Sequence, residues 1–222
     1  MILPKSNKQQ KAQEMKMSTK TIIFDTETTG VDATKDEILQ LSIIDDAGKT
    51  LFDEFFKPER ATEWKRAEEI NHISPEKVAN KKSIKAFQKQ LLEIFSNADV
   101  IAGYNVNFDL KFIASSIGFQ LQDNQEVFDV MPVFSQMYGD WDEWHHDYRW
   151  QKLTTAAEYF DFDWSAAPQH SALGDCLATL HVMKKLKQAE LDVEQEEADA
   201  AAVSKALEHD NNGRTVDGKE RR

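Results

Sequence analysis

The order of its predicted strands and helices places this chain in the α/β class, as a layered fold with a mixed central sheet and flanking helices. Three short apolar runs near the start, over residues 21–30, 37–45 and 50–56, have the composition and alternation of β-strands. Their short connections predict an antiparallel meander. Two further apolar runs, over residues 100–104 and 126–130, alternate with helical patterns. This order of elements is typical of helices packed on a sheet in layers.

Apolar residues at helical spacing predict four helices, over residues 83–97, 108–117, 153–160 and 172–187. Ser83 is a favourable N-cap residue for the first helix, and Gly118 is favourable just past the end of the second. Residues 58–82 are charged and have no clear period, so we expect irregular or weakly helical structure there. Pro132 is expected to end the fifth strand.

The composition is that of one well-cored domain with polar ends. The chain has 222 residues, of which 41% are hydrophobic. No apolar run approaches the roughly 18 residues that a membrane-spanning helix needs, and the N-terminus lacks the apolar segment of a secretory signal. The single cysteine, Cys176, excludes an internal disulfide and fits a reducing compartment. These features predict a cytoplasmic protein with no membrane partner.

Charge and periodicity divide the chain into three parts. Residues 1–18 predict a disordered basic arm, residues 19–189 hold the periodic segments, and residues 190–222 predict an acidic tail that is partly helical or disordered. The formal net charge is −12, and the ten acidic and five basic residues of the tail account for −5 of it. A net acidic charge argues against a protein that coats nucleic acid through many lysines and arginines. It does not exclude an enzyme that holds one strand end through metal ions.

The first predicted strand carries two acidic residues, Asp25 and Glu27, within the sequence TIIFDTETTG. Side chains alternate between the faces of a strand, so these two carboxylates point to the same side. Two like charges held together in an apolar setting are costly unless a cation neutralises them, and carboxylate oxygens are preferred ligands of Mg²⁺ and Mn²⁺. The spacing therefore predicts a metal site at the end of the strand. On this spacing alone, an equally good interpretation is that Asp25 starts a polar turn before Gly30.

Two later motifs carry further acids. The sequence IAGYNVNFDLKFI contains Asp109, and HSALGDCLATL contains His170 and Asp175. Pro168 disfavours helix just before His170, so we expect His170 on a loop and Asp175 in the first turns of the last helix. From those positions both side chains can converge on one site. Taken alone, Asp109 and Asp175 are also explained as acids at helix starts, where a carboxylate interacts favourably with the helix dipole.

Together the three motifs resemble those of a known family. An apolar strand with Asp-x-Glu, a later Asn-x-x-Phe-Asp and a final His-x-x-x-x-Asp, in this order, is similar to the DEDDh group of 3′–5′ exonucleases. This DnaQ-like superfamily includes the proofreading subunits and ribonuclease T. The resemblance covers roughly residues 19–186. It implies a ribonuclease H-like, three-layer α/β fold with a mixed five-stranded central sheet.

The resemblance also implies the chemistry of the site. Four acids would hold two divalent cations, Mg²⁺ or Mn²⁺, about 4 Å apart: Asp25, Glu27, Asp109 and Asp175. One ion would polarise the attacking water, and the other would stabilise the departing 3′-oxygen. His170 would take the proton of the water as general base. The product would be a nucleoside 5′-monophosphate released from the 3′ end, preferably of single-stranded DNA.

Six residues are candidates for substrate binding: Thr26, Thr28, Tyr104, Asn105, Trp141 and Trp144. Tyr104 stands where relatives often have histidine, and Asp129 matches an acidic position that supports the site in the family. The tryptophans belong to the segment YGDWDEWHHDYRW, whose aromatic and basic residues could stack on unpaired bases. An equally good interpretation is that they fix a loop or lid onto the core.

Two other functions fit the same pattern. The chain could be a 3′–5′ exonuclease of RNA or of very short oligonucleotides, with the tryptophan-rich segment capping the pocket. It could also be a nucleic-acid adaptor that kept the fold without catalysis, although the complete set of four acids and His170 argues against this. The expected partner is the 3′ end of a single-stranded nucleic acid. No segment for docking to a polymerase is recognisable, so the sequence predicts no particular polymerase or repair partner. A free-standing or repair role is favoured.

Overall fold

The computed structural model describes the backbone of residues 20–212 and, except for residues 166 and 202–212, their side chains. The predicted arm over residues 1–18 and the end of the predicted tail, residues 213–222, lie outside the described residues. Within the described part, no helix combines the length and the hydropathy needed to cross a membrane.

A mixed five-stranded sheet forms the centre of the fold. Its strands are β1 (Thr21–Thr28), β2 (Ile38–Asp45), β3 (Thr50–Phe55), β4 (Val100–Gly103) and β5 (Glu126–Asp129). They lie in the order β3-β2-β1-β4-β5, with antiparallel pairing from β1 to β3 and parallel pairing of β1, β4 and β5. The predicted meander and the predicted mixed sheet are therefore confirmed. The three parallel strands bring their carboxyl ends to one edge of the sheet.

Helices and one small hairpin complete the described part of the chain. The helices are α1 (Lys65–Asn71), α2 (Pro75–Val78), α3 (Gln88–Ser96), α4 (Val106–Ile117), α5 (Val130–Tyr138), α6 (Leu153–Tyr159) and α7 (Ala172–Asn212). Short 3₁₀ turns over Ile84–Phe87 and Trp164–Ala166 precede α3 and α7. The hairpin pairs β6 (Trp141–Asp142) with β7 (Asp147–Tyr148).

Residues 58–82, expected to be irregular or weakly helical, contain the two short helices α1 and α2. Two other segments differ from their prediction. The helix predicted from Ser83 begins with a 3₁₀ turn, although the Ser83 hydroxyl caps it as expected by accepting a hydrogen bond from the Lys85 backbone N–H. Pro132 does not interrupt the structure after β5, because it lies in the first turn of α5, where a backbone N–H has no partner within the helix. The side chain of Asp129 caps that helix.

Helices cover both faces of the sheet. On one face, apolar side chains of β1, β2 and β3 pack against α3 and α4 in the main core, which includes an edge-to-face pair of Phe24 and Phe95 at 5.0 Å. On the other face lies the start of α7. There the buried Cys176 thiol contacts the carbonyl oxygens of Ile23 at 3.7 Å and Ser42 at 3.3 Å. The predicted three layers are therefore present.

The chain divides into two compact units after Val182. In the second unit α7 continues to Asn212, and its side chains over residues 190–201 are exposed. The domain boundary predicted at residue 190 stays a prediction.

Candidate active site

Three carboxylates meet near the carboxyl end of β1. Asp25 and Glu27 come from that strand, and Asp175 comes from the first turn of α7. One oxygen from each lies within 4.8 Å of the others. The structure therefore brings together the strand pair and the helix residue that the sequence predicted. The arrangement offers three ligand atoms to one cation.

Strand pairing explains why the first two carboxylates share a face. In the antiparallel register of β1 and β2, Asp25 stands opposite Ser42. Glu27 stands opposite Gln40, and directly opposed side chains lie on the same face of a sheet. The polar residues Gln40 and Ser42 of β2 therefore border the acids.

Asp109, the fourth predicted acid, lies on α4 and is only 3% exposed. Thr26, the residue between the two acids of β1, donates two hydrogen bonds to the same Asp109 oxygen. One comes from its backbone N–H at 3.0 Å and the other from its hydroxyl at 2.5 Å. Thr26 thus orients Asp109, a role that the sequence did not predict. Its predicted contact with a nucleotide stays a prediction.

Burial raises the pKa of all four carboxylates, and the charges of the neighbouring acids add to this effect for Asp25 and Glu27. Burial raises the pKa of Asp25 well above its ordinary value, and the charges of the other three acids raise it further. Burial and the charge of Asp175 raise the pKa of Glu27 to about 8. Burial also raises the pKa of Asp109 and that of Asp175 to about 7. Without a counter-charge, the cluster would therefore take up protons near neutral pH.

A hard divalent cation fits this donor set. Crowded, buried carboxylates lose their mutual repulsion when a cation binds between them. Oxygen ligands are typical of sites for Mg²⁺ and Mn²⁺, whereas softer metals favour sulfur and nitrogen. The structure thus holds an acidic cluster that could bind a metal ion, formed by Asp25, Glu27 and Asp175.

The loop before α7 places Asp175 and His170. The Ser171 hydroxyl donates to the Pro168 carbonyl at 2.7 Å and accepts from the Gly174 N–H at 3.2 Å, so it caps the helix. A Cβ at Gly174 would lie 2.2 Å from the Pro168 carbonyl oxygen, so only glycine lets the loop fold back this closely. His170 is exposed and has a left-handed backbone with φ of 57°. It therefore lies on a loop and Asp175 on the helix, as the sequence predicted.

A buried glutamine joins the sheet to this helix start. Gln40 is 3% exposed, and its side-chain amide donates to the Asp53 carboxylate at 3.0 Å. The Ser42 hydroxyl donates to the same carboxylate oxygen at 2.7 Å. The other end of Gln40 accepts a hydrogen bond from the Ala172 backbone N–H at 3.4 Å. Gln40 therefore links β3, through β2, to the turn of helix that carries Asp175.

Residues 22–183 match the protein-family model RNase_T, which is described as an exonuclease family. The chain belongs to the RNase_T exonuclease family. The matched range begins in β1 and ends in α7, so it includes all four acids and His170. It confirms the predicted resemblance to the DEDDh group of 3′–5′ exonucleases and the predicted class of enzyme, a nuclease that hydrolyses nucleic acid.

Two curated relatives show how this RNase_T domain occurs in longer proteins. A PolC-type DNA polymerase III of Latilactobacillus sakei subsp. sakei is 27% identical over 177 residues, which are 77% of this chain and 11% of the polymerase. RNA exonuclease 4 of Xenopus laevis is 33% identical over 98 residues, which are 43% of this chain and 23% of that protein. The chain thus spans less than a quarter of the length of either relative.

Solved exonuclease structures share the fold. E. coli exonuclease I in complex with a dT13 oligonucleotide matches with a TM-score of 0.62 and 22% identity, over 81% of this chain and 43% of that chain. Exonuclease X in complex with 5′ overhanging duplex DNA matches with a TM-score of 0.56 and 17% identity, over 76% of this chain and 92% of that chain. These similarities confirm the predicted ribonuclease H-like fold.

Two polar residues of the RNase_T domain act on Glu27 and were missing from the sequence prediction. Against the larger effect of burial, a hydrogen bond from the Asn71 side chain and the positive charge of Lys77 lower the pKa of Glu27. Asn71 ends α1 and Lys77 lies in α2, within the segment INHISPEKV. That segment has no strong period, so nothing in its spacing marks these two residues.

The predicted substrate residues nearest the acids already make contacts within the domain. The Thr28 hydroxyl is buried and donates to a backbone carbonyl in the turn after β1. The Asn105 N–H donates to the Asp129 carboxylate at 2.9 Å, so Asp129 supports the turn that leads into α4. The Tyr104 hydroxyl donates to the Gln151 carbonyl at 2.8 Å. The contacts of Thr28, Tyr104 and Asn105 with a nucleotide stay predictions.

The tryptophan-rich segment forms the β6–β7 hairpin. Trp144, at its turn, is 86% exposed, and Trp141 packs edge-to-face on Tyr148 at 5.1 Å and is 42% exposed. The interpretation that these tryptophans fix a loop to the core therefore does not hold for Trp144. The hydrogen bond from Tyr104 to Gln151 joins the chain after the hairpin to the β4–α4 connection. The hairpin is thus attached at the edge of the sheet where the parallel strands end, and its binding of substrate stays a prediction.

Proposed function

We propose that this chain is a metal-dependent 3′–5′ exonuclease that releases nucleoside 5′-monophosphates from the 3′ end of single-stranded DNA. The observation that carries the proposal is the convergence of three carboxylates within 4.8 Å, in a domain of the RNase_T exonuclease family. A cluster of this kind is suited to holding cations against a phosphodiester group. A free-standing or repair role in the cytoplasm belongs to the same proposal.

Four acids would hold two divalent cations, Mg²⁺ or Mn²⁺: Asp25, Glu27, Asp109 and Asp175. When bound, such cations supply the Lewis acidity that phosphodiester hydrolysis needs. The contribution of the chain itself is the placement of the ligands. The alternation of β1 puts Asp25 and Glu27 on one face, Thr26 orients Asp109, and the loop before α7 delivers the last acid.

His170 would act as the general base that takes a proton from the attacking water. It is exposed and lies on the loop directly before the helix of Asp175. A neutral imidazole has one ring nitrogen with a free lone pair, and this nitrogen can accept the proton. The left-handed backbone of His170 belongs to the loop that also brings Asp175 to the cluster.

The strand end would lie between the acids and the β6–β7 hairpin. Six residues would border it: Thr26, Thr28, Tyr104, Asn105, Trp141 and Trp144. Stacking of an unpaired base on an aromatic side chain is worth about 1–3 kcal/mol, and Trp144 has the most exposed ring of the six. The solved complex of E. coli exonuclease I with a dT13 oligonucleotide supports single-stranded DNA as the substrate.

A second candidate is a 3′–5′ exonuclease of RNA, and the 33% identity to RNA exonuclease 4 over 98 residues favours it. The PolC-type relatives support a polymerase as a possible partner of this domain. A non-catalytic adaptor is disfavoured because the predicted acids come together in one cluster.

An oligonucleotide labelled at its 5′ end and resolved on a gel tests the proposal. We expect a ladder that shortens by one nucleotide at a time and that stops when the 3′ end is blocked. Single-stranded DNA and 3′ overhangs should be degraded faster than a blunt duplex, because unpairing the strand end costs free energy. An RNA of the same sequence decides between the two substrates. Internal cuts in a circular single strand would overturn the proposal in favour of an endonuclease.

A further inference from the structure

We infer that a lysine pair beside the acids, the cluster formed by Lys77 and Lys81, binds the phosphates of the substrate strand next to the bond that is cut. This inference rests on the proposed function and adds a site for the nucleic-acid backbone to it. The sequence around the cluster is strongly biased. Residues 77–89 contain five lysines and no acidic residue, in a chain whose net charge is −12.

The cluster lies over the same face of the sheet as the acids. Lys77 Nζ is 4.4 Å from the centre of the Phe55 ring, and Lys81 Nζ is 5.8 Å from it. Phe55 stands opposite Gln40 in the pairing of β2 with β3, and Gln40 stands opposite Glu27 in the pairing of β1 with β2. The three residues therefore form one row across three strands, with their side chains on one face.

The spacing of that row sets the reach of the lysines. Adjacent strands lie about 4.8 Å apart, so Phe55 is on the order of 10 Å from Glu27. The Nζ atoms of Lys77 and Lys81 lie over the Phe55 end of this row. A strand whose terminal phosphodiester lies at the acids would place its neighbouring phosphates within reach of the cluster.

The positive charge of the cluster is also available to a ligand. Lys77 and Lys81 are exposed, and neither forms an ion pair with a carboxylate in the part of the chain that the structure describes. By contrast, Lys85 pairs with Glu59 at 2.6 Å. Lysine binds phosphate oxygens as a point charge and releases condensed counterions when it does so. Such lysine contacts recognise the phosphate backbone rather than the bases, so they suit DNA and RNA strands equally.

Binding of a fluorescein-labelled oligothymidylate, followed by anisotropy in Ca²⁺, tests the inference. The variant Lys77→Ala/Lys81→Ala should raise Kd roughly 10-fold at low salt and should reduce the slope of log Kd against log salt concentration by about 1.4, for two lost contacts on a single strand. Lys77→Arg/Lys81→Arg keeps the charge and should keep the affinity. Lys49→Ala is the matched control. Lys49 lies in the turn between β2 and β3, and Gln40 lies near the opposite end of β2.

Hydrolysis of the p-nitrophenyl ester of thymidine 5′-monophosphate separates binding from catalysis. This ester has one phosphodiester and no neighbouring phosphate, so the single variant Lys81→Ala should hydrolyse it at the wild-type rate. An unchanged Kd and salt slope in the double alanine variant would overturn the inference. So would an equal loss by Lys81→Ala on the ester and on the oligonucleotide, since Lys81 would then act on the acids themselves. A wild-type protein that hydrolyses neither substrate would defeat the proposed function, while the anisotropy still decides the role of the lysines.

Discussion

Replacing Asp175 by Asn should stabilise the metal-free protein at alkaline pH while abolishing hydrolysis. Asp25, Glu27 and Asp175 each present an oxygen within 4.8 Å of the others. Two unit charges at this separation repel by about 3.5 kcal/mol at an effective dielectric constant of about 20. The substitution removes two such repulsions and keeps the shape of the side chain. Proton uptake already relieves part of the repulsion, so we expect a net gain of about 2 kcal/mol, or roughly 4–8 °C in Tm.

The sign of the pH dependence follows from the raised pKa values of the cluster. A carboxylate whose pKa is higher in the folded than in the unfolded chain destabilises the fold when it ionises. The stability that the protonated carboxyl contributes to the fold is therefore fully present below its ordinary pKa. This stability is lost as the pH rises through the folded pKa, which is about 7 for Asp175 and about 8 for Glu27. The gain from Asp175→Asn should thus be large at about pH 9 and small at about pH 5.

Thermal unfolding with a chelator at these two pH values measures the effect. Glu93→Gln is the matched control, because Glu93 is an exposed acid on α3 outside the cluster. This substitution should leave the Tm unchanged at both pH values. Saturating Mg²⁺ should stabilise the wild type more than Asp175→Asn, because a cation that binds only the folded state adds to its stability. An Asp175→Asn protein no more stable than the wild type at alkaline pH without a cation would refute the reasoning that these acids repel one another.

His170→Ala should lower kcat by roughly 10²–10⁴, the usual contribution of a positioned general base, while the Kd for the strand stays near that of the wild type; steady-state kinetics and anisotropy measure this, and a kcat near the wild-type value would mean that another group is the base. Gln40→Leu should raise the Mg²⁺ concentration needed for half-maximal activity, because Gln40 joins Asp53 to the start of α7; an unchanged Mg²⁺ titration would contradict this positioning role. Removing residues 1–18 and 190–222 together should leave kcat/KM nearly unchanged, since neither segment holds a proposed site residue; a large rise in KM would show that a tail binds the strand.

The elements that the sequence predicted are those with a local physical signal. The strands of the meander alternate or run apolar over five or more residues, and their pairing in the structure follows that pattern. The pair Asp25 and Glu27 shares a face because the strand period is two, which needs no knowledge of the rest of the fold. The convergence of Asp175 with them came from the resemblance of three ordered motifs, because spacing within one motif cannot show which elements meet.

The features that the sequence did not predict depend on tertiary contacts or on weak local signals. Thr26 forms a hydrogen bond with Asp109, which is 83 residues away in the sequence. Gln40 forms a hydrogen bond with Ala172, which is 132 residues away. No local sequence pattern predicts such pairs. The helix α2 has a favourable start, with Ser74 as N-cap followed by proline, but it is only four residues long and carries no apolar period. The start of α5 differs from its prediction because Pro132, expected to end a strand, lies in the first helical turn, where proline is well tolerated.

Metal-dependent cleavage by matched proteins tests the central claim most directly. The wild type and Asp25→Asn should be compared on one 5′-labelled strand while Mg²⁺ is titrated from a chelated start. The wild type should be inactive with chelator and should gain the single-nucleotide ladder as Mg²⁺ or Mn²⁺ is added, because the acids need a cation to act on the phosphodiester. Asp25→Asn should give no ladder at any Mg²⁺ concentration. Turnover by Asp25→Asn near that of the wild type at saturating Mg²⁺, or a wild-type ladder that persists in chelator, would contradict the account.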